Sequence, residues 1–182
     1  EKGFEKVHTI VFFVDAKKQR IGMLRRAANL SFAPNLYTGV GGKVEEGETH
    51  YEGAMRELGE EMQEIKGFGK ETIQEFGRVI INGRAILCYF VLPYESDALP
   101  ATAPNIGELG WFSFDTVMEL DIIPTTRYFM EEWQKRRWGV AAPFTVLITR
   151  EEASDIRSKV SFLEVQEGLC SPTGCTFIVG EK

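Results

Sequence analysis

The feature that most constrains the fold is a pair of apolar segments separated by Asn82-Gly83. The segments, 72–81 (TIQEFGRVII) and 84–94 (RAILCYFVLPY), are rich in the β-branched and aromatic residues that favour strands. Asn-Gly is preferred in two-residue hairpin turns because both of its residues tolerate positive φ angles. The sequence therefore predicts an antiparallel hairpin, and its apolar character indicates that these two strands are central in a sheet.

Further strands and helices are predicted on both sides of this hairpin. The other strands are predicted at 7–15, 20–26, 36–40, 107–114, 144–149, 162–166 and 176–179. Helices are predicted at 49–66, 115–120 and 124–137, and the charged stretch 151–159 is a further candidate. This alternation indicates one mixed α/β (α+β) domain. We expect 1–140 to form its core and 141–182 to be a C-terminal extension of the same domain.

The charge of the chain limits the class of partner. A net charge of −6 argues against a protein that grips long nucleic acid, because such binding depends on a field of Lys and Arg. A small phosphate substrate is still compatible, since a divalent cation held by carboxylates supplies positive charge. No stretch approaches the roughly 18 apolar residues of a membrane helix, and the N-terminus lacks the apolar core of a signal peptide. We therefore expect a small-molecule partner and no membrane.

The three cysteines are too few for a disulfide framework. Cys88 lies in an apolar run and is expected to be a buried free thiol. Cys170 and Cys175 (CSPTGC) are interpreted as reduced thiols flanking a turn, with a small disulfide loop or half of a zinc site as alternatives. These features favour a reducing, cytoplasmic setting. The oligomeric state is open, with a homodimer as one option.

The predicted helix at 49–66 carries one apolar stripe and one acidic face. Its apolar residues, spaced by four, four and three, are Ala54, Leu58, Met62 and Ile65. Thr49 is expected to cap the helix, and Gly67 to end it. Glu57, Glu60 and Glu61 are three or four residues apart and so share a face. Three carboxylates that repel one another indicate a cation, and clustered hard oxygen ligands suit Mg²⁺ or Mn²⁺.

Residues around this face have complementary properties. Gly41 and Gly42 allow the backbone to approach a ligand closely, because no side chain intervenes. Lys43 adds a positive charge that can meet a phosphate, and Arg56 can orient a neighbouring carboxylate through a bidentate bond. The combination is typical of metal-assisted phosphoryl chemistry.

The string that begins at Gly42 resembles the signature of the Nudix hydrolases. The matching residues are Gly42, Glu48, Arg56, Glu57, Leu58, Glu60 and Glu61. The last two signature positions depart from the pattern, with Gln63 in place of Gly and Glu64 in place of an aliphatic residue. This departure lies beyond the acids and removes no ligand, although it places the predicted end of the helix in question.

The resemblance implies an α/β/α sandwich on a mixed sheet and hydrolysis of a nucleotide phosphoanhydride bond. It implies that Glu57, Glu60 and Glu61 ligate the metal, with the Gly41 carbonyl as a further candidate, and that Arg56 and Glu48 support them. The general base varies in this family, so Glu57, Glu60 and the acid of a later loop, Glu108, all remain candidates. The cofactor expected is Mg²⁺, with Mn²⁺ as the alternative.

Within the family, the chain most resembles the MutT-like branch that destroys oxidised purine nucleoside triphosphates such as 8-oxo-dGTP. That branch's mammalian enzyme reads the base with an Asn and two Asp, whose places here hold Thr38 and Thr125-Thr126. Tyr37, Trp111 and Phe112 are candidates to stack on a base or to pack in the core. Ordinary nucleoside triphosphates, dinucleoside polyphosphates and nucleotide sugars remain alternative substrates. So does a nucleotide-binding sensor without turnover, whereas an RNA-cap hydrolase is disfavoured by the acidic charge.

Overall fold

The structure is a computed structural model that describes residues 4–62, 72–151, 160–171 and 174–176. Its strands are β1 (Lys6–Asp15), β2 (Arg20–Arg26), β3 (Tyr37–Thr38), β4 (Gln74–Ile81), β5 (Ala85–Pro93), β6 (Gly107–Ser113), β7 (Phe144–Arg150), β8 (Val160–Glu167), β9 (Leu169–Ser171) and β10 (Gly174–Thr176). Its helices are α1 (His50–Glu61) and α2 (Pro124–Lys135), with a short 3₁₀ helix at Val117–Glu119.

One mixed sheet organises the described chain. Its strand order is β3-β2-β1-β5-β4-β7-β8, and β6 also pairs with β2. The β1–β5 and β4–β7 pairs are parallel and the other pairs are antiparallel. The predicted central hairpin is confirmed: Asn82 and Gly83 have φ angles of 53° and 66° in the turn between β4 and β5.

The two helices cover opposite faces of the sheet. Phe12 and Phe13 are consecutive in β1 and both fully buried, and because a strand alternates its side chains they enter different cores. Phe13 packs in the cluster that contains Leu58 of α1, and Phe12 in the cluster that contains Phe129 and Trp133 of α2. The α/β/α sandwich expected from the resemblance is therefore confirmed.

Helix α1 begins at the predicted cap. Thr49 accepts a hydrogen bond from the Glu52 amide (3.1 Å), and Glu52 accepts one from the Thr49 amide (2.9 Å), which completes a capping box. The predicted helix end at residue 66 is wrong, because the chain turns to an extended conformation at Met62. Met62 forms a bridge with Thr102, and the Glu61 carbonyl accepts from the Ala103 amide at 2.8 Å. The departures at Gln63 and Glu64, and the stop predicted at Gly67, lie outside the described residues.

Other boundaries differ from the sequence prediction in local ways. The helix predicted at 115–120 is a single 3₁₀ turn. Helix α2 begins at Pro124 as predicted but ends at Lys135, because Arg137 and Trp138 adopt positive φ angles of 55° and 59°. The strand predicted at 36–40 is only two residues long, since the glycines that follow pass close to β1 rather than pair regularly.

The C-terminal residues extend the same sheet. Strand β7 pairs with β4 and β8 pairs with β7, so the sheet continues past the hairpin. The predicted strand at 176–179 and helix at 151–159 fall mostly outside the described residues. Cys88 is the buried free thiol that was predicted. The interpretation of Cys170 as a reduced thiol is wrong: it is disulfide-bonded, and the β9–β10 register sets it opposite Cys175.

The two described α-helices have 12 residues each, and no helix in the described ranges is long and apolar enough to span a bilayer.

Candidate active site

The centre of the predicted site is the guanidinium of Arg56 on α1. It donates to both carboxylate oxygens of Glu48, from Nε at 2.9 Å and from Nη2 at 3.1 Å. Nη1 donates to Glu57 at 3.0 Å and lies 3.3 Å from Glu60, and Nη2 donates to the Lys43 carbonyl at 2.8 Å. The rigid, forked guanidinium of Arg56 thus links the loop before α1 to Glu57 and Glu60 on the helix.

These contacts account for the ionisation of Glu48. The hydrogen bonds from Arg56, and then the Glu45 amide, hold the pKa of Glu48 below its usual range. Burial acts in the opposite direction but does not outweigh them. The carboxylate is therefore a fixed anion that keeps Arg56 in place.

Glu57 lies against the glycine-rich turn. Only 13% of its side chain is exposed, and a Cβ added to Gly42 would be 2.5 Å from its carboxylate carbon. Gly42 itself is tied to β1, because its carbonyl accepts from the Thr9 amide at 2.9 Å. The absence of a side chain at Gly42 is what gives the Glu57 carboxylate its space.

Glu61 is the most deeply placed acid of the three. Its Oε2 is buried and has no hydrogen-bond partner among the described residues. Burial, and then the nearby charge of Glu57, raise the pKa of Glu61 to about 7, although a hydrogen bond from the Gly41 backbone opposes the rise. Glu60, by contrast, is 60% exposed. The three predicted ligands therefore lie together on α1 but differ in their contact with solvent.

The donor set fits a hard divalent cation. A buried carboxylate oxygen without a partner is costly, and a cation beside it removes that cost. Glu57, Glu60 and Glu61 offer oxygens only, which is the donor chemistry that Mg²⁺ and Mn²⁺ prefer, and Gly41 is adjacent to Glu61. The residues present are thus able to hold such an ion.

A cavity of about 560 Å³ opens beside Glu61. Gly41, Gly42 and Glu61 form part of its wall, and so do all three threonines predicted to contact substrate, Thr38, Thr125 and Thr126. Its apolar wall includes Ile10, Leu24, Leu87, Ile106 and Ile123. Of the acid cluster formed by Glu57, Glu60 and Glu61, the structure therefore brings Glu61 to the same cavity as the threonines.

Other predicted site residues lie elsewhere among the described residues. Tyr37 packs edge-on against Phe112 at 5.5 Å, and Trp111 lies under the guanidinium of Arg20 at 4.4 Å, so these rings contribute to packing. Lys43 is exposed and does not line the cavity, although its backbone forms an antiparallel bridge with that of His8 in β1. Glu108 is exposed on β6 opposite Arg25 and is also outside the cavity wall.

The sequence motifs gave no indication of four basic residues that line the cavity. They are Lys6, His8, Arg26 and Arg150. Arg26 donates from Nε to the Phe32 carbonyl at 3.0 Å, and its pKa is lowered by burial while the charge of Glu61 opposes this. The alternation of Lys6, His8 and Ile10 along β1 was a usable signal, because residues two apart share a face.

Comparison with known proteins agrees with this geometry. A family model described as NUDIX domain matches residues 5–133, which include α1 and the whole acid cluster. The chain belongs to the NUDIX family. It is therefore a nucleotide pyrophosphohydrolase, and enzymes of this family work with a divalent metal.

Sequence and structural relatives of this Nudix protein are consistent with the assignment. It is 26% identical over 129 residues to the oxidized purine nucleoside triphosphate hydrolase of Mus musculus, covering 68% of this chain and 76% of that one. The fold is similar to a MutT protein from Bacillus halodurans, with a TM-score of 0.60, 17% identity and coverage of 89% and 97%. A Francisella tularensis NMN adenylyltransferase/ADP ribose pyrophosphatase, complexed with AMP and Mn, gives a TM-score of 0.51 at 18% identity, covering 74% of this chain and 42% of that one.

Proposed function

We propose that this Nudix enzyme hydrolyses nucleoside triphosphates in the presence of Mg²⁺, with oxidised purines such as 8-oxo-dGTP as the first candidates. The observation that carries the proposal is the buried Oε2 of Glu61, which has no partner among the residues that the structure describes and lies at the wall of a cavity that also contains Thr38 and Thr125. It provides a cation site and a nucleotide-sized space side by side.

Each residue of the acid cluster has a distinct role in the proposal. Glu57, Glu60, Glu61 and the Gly41 carbonyl would hold Mg²⁺, with Mn²⁺ as the alternative ion. When bound, the ion supplies positive charge to the phosphate oxygens and acidifies the attacking water. Arg56 positions Glu57 and Glu60, and Glu48 holds Arg56 through its two hydrogen bonds.

Removal of a proton from the attacking water needs a base that water can reach. Glu60 is the strongest candidate because it is 60% exposed, whereas Glu57 is confined by Gly42 and Arg56. Glu108 is the less supported alternative, since it lies on β6 opposite Arg25 and not among the acids of α1. Arg26, half-buried in that wall near Glu61, is placed to neutralise charge on the phosphates.

The threonines determine which nucleotide bases the site accepts. The Thr126 hydroxyl already has one partner, the hydroxyl of Tyr89 at 3.0 Å, so Thr38 and Thr125 are the first candidates to contact the nucleotide. A hydroxyl both donates and accepts, so it favours no single tautomer or oxidation state of a purine. The similarity to the mouse enzyme supports oxidised purines, whereas these hydroxyls predict broader selection.

A second candidate is a nucleotide linked through a diphosphate to another group, as in a nucleotide sugar or a dinucleoside polyphosphate. The extent of the cavity favours it, because the wall continues from Glu61 to Lys6 at the far end of the same space. The ADP ribose pyrophosphatase activity named for the Francisella protein belongs to this class.

The deciding experiment is the rate of product release from oxidised and ordinary nucleoside triphosphates, nucleotide sugars and dinucleoside polyphosphates with Mg²⁺. We expect Glu57→Gln and Glu60→Gln to lose at least about 100-fold in kcat while remaining folded. Glu46→Gln, an exposed acid in the preceding loop, is the control and is expected to keep full activity. Unchanged rates in both variants would remove the roles proposed for Glu57 and Glu60, and nucleotide binding without turnover would favour a sensor.

Two further expectations accompany this function and stay predictions. They are a cytoplasmic location and the option of a homodimer. A small nucleotide, and not long nucleic acid, is the expected partner, because the net charge is −6.

A further inference from the structure

Residues of β1 form the floor of the cavity, and their positions along the strand locate its two ends. Ile10 is in register with Tyr89, whose hydroxyl contacts Thr126, so the threonine end of the cavity lies at Ile10. Lys6, four residues earlier on the same strand, is in register with Ala85. At about 3.3 Å per residue, the two ends of the floor are about 13 Å apart.

The acid cluster lies between these two ends. The Thr9 amide donates to the Gly42 carbonyl, and a Cβ on Gly41 would clash with the Thr9 carbonyl, so the glycine-rich turn passes beside Thr9. Glu61 accepts from the Gly41 backbone and is therefore at the same level. Along β1 the order is the threonines, the acids and then Lys6.

Arg150 joins Lys6 at the far end. Ala85 is in register with Ile81, and the neighbouring Asn82 binds the Arg150 backbone through two hydrogen bonds, to its carbonyl at 2.8 Å and from its amide at 2.9 Å. These contacts fix the backbone of Arg150 at this end of the sheet. Its side chain is half-buried and contributes to the cavity wall.

This end of the cavity is positively charged. Neither Lys6 nor Arg150 forms an ion pair with a carboxylate within the described parts of the chain. Burial lowers the pKa of His8, and the charges of Lys6 and Lys43 lower it further. Lys6 is exposed, whereas Arg150 is half-buried.

We propose that Lys6 and Arg150 form a second anion subsite, which binds a phosphate carried by the substrate on the far side of the cleaved bond. The proposal rests on the proposed function, because it assumes that the hydrolysed diphosphate lies at the acids of α1. Lys6 lies about 10 Å beyond the Gly41–Thr9 level along β1, and Arg150 lines the same cavity, a placement that matches a terminal or second phosphate group. An uncharged sugar in the same place would cover the half-buried Arg150 without giving it an anionic partner.

The test uses inorganic tripolyphosphate in EDTA, so that binding does not depend on a metal at the acids. Calorimetry is expected to show that Lys6→Gln and Arg150→Gln each weaken the affinity by about tenfold, and that the double variant weakens it further. Arg150→Lys keeps the charge and is expected to retain most of the affinity. Lys17→Gln, an exposed lysine in the turn between β1 and β2, is the control for general charge.

The possible outcomes separate the two proposals. Equal affinity of the double variant and the wild type overturns the subsite, even if nucleotides are hydrolysed. Binding that is lost only in Arg26→Gln also overturns it, because the anion then lies beside the acids. Metal-independent binding that depends on Lys6 and Arg150, in an enzyme that cleaves no nucleotide, supports the subsite and overturns the proposed function instead. Thermal unfolding of each variant confirms that it is folded.

Discussion

Gly42 and Glu57 are in direct contact: a single methyl group on Gly42 would lie 2.5 Å from the carboxylate carbon of Glu57 and 2.5 Å from its Oε1. Real Cβ atoms do not approach other atoms so closely, and both the turn and the helix are fixed by other hydrogen bonds. We expect Gly42→Ala to displace the Glu57 carboxylate and to lower kcat by about 100-fold or more. Steady-state kinetics with saturating Mg²⁺ measures the loss.

Gly59→Ala is the matched control for this substitution. Gly59 is an exposed residue of the same helix, and a Cβ there would meet nothing within 4 Å. Alanine in a helix interior is more stable than glycine by about 0.5–1 kcal/mol, so this variant is expected to be more stable and fully active. Full activity in Gly42→Ala would show that Glu57 tolerates displacement and has no fixed role.

The fork formed by Arg56 gives a second prediction. Arg56→Lys keeps the charge but loses the paired bonds to Glu48 and the bond to the Lys43 carbonyl. We expect kcat to fall at least about tenfold with little change in KM, because the acids are misplaced while the cavity is intact. Comparable kcat in the variant and the wild type would mean that charge alone, and not geometry, is required.

The pKa of Glu61 leads to a pH-dependent effect on stability. Its pKa is about 7 in the folded metal-free protein, above the ordinary value of about 4.5, so its charge destabilises the fold as pH rises through this window. Glu61→Gln is therefore expected to stabilise the metal-free protein at pH 8 by about 1–3 kcal/mol and to change little at pH 4.5. Urea unfolding in EDTA at the two pH values measures the difference.

The same variant is expected to gain less stability from added metal than the wild type does. Added Mg²⁺ is expected to raise the Tm of the wild type more than that of Glu61→Gln, because the amide loses a charged ligand oxygen. Equal stabilisation of both proteins by Mg²⁺ would argue against Glu61 as a ligand.

A buried network at the start of α1 gives a fourth prediction. His50, Glu75 and Cys88 lie close enough together to ligate a metal, but Arg78 contacts two of them, with its guanidinium 2.7 Å from Glu75 and 3.4 Å from His50. Burial opposes the charge of Glu75, yet the hydrogen bond from His50 and the charge of Arg78 outweigh it and keep its pKa low. The guanidinium thus provides the positive charge that a metal would bring.

We expect Arg78→Met to lower the free energy of unfolding by about 3–5 kcal/mol, because it leaves the Glu75 carboxylate buried without its main partner. The double variant Arg78→Met/Glu75→Leu is expected to recover much of this loss. Denaturant titration measures both. If the single variant is as stable as the wild type, the network does not contribute to stability.

The sequence was sufficient to predict the structure where a local pattern has a single physical solution. Asn82-Gly83 dictates its hairpin, Thr49 caps α1, and the spacing of Glu57, Glu60 and Glu61 places them on one face. It was insufficient where contacts distant in the chain decide the outcome. The end of α1 depends on pairing between Met62 and Thr102.

The composition of the cavity could not be predicted for the same reason. Lys6 and Arg150 are 144 residues apart in sequence, and only the registers of β1, β5, β4 and β7 bring them to one end of the sheet. Tyr37, Trp111 and Phe112 could not be assigned to stacking or packing, because the aromatic content of a strand does not tell which of its faces meets another element.

The parallel pairing of β7 with β4 has a consequence for how such an enzyme could change over time. The residues proposed to perform the chemistry lie between 41 and 61, whereas Arg150 lies on β7, which pairs with the far strand of the central hairpin. Substitutions in that late strand can alter which molecule is accepted without touching the reaction itself. Under the two proposals, chemistry and choice of substrate are inherited on separate stretches of the chain and are free to diverge independently.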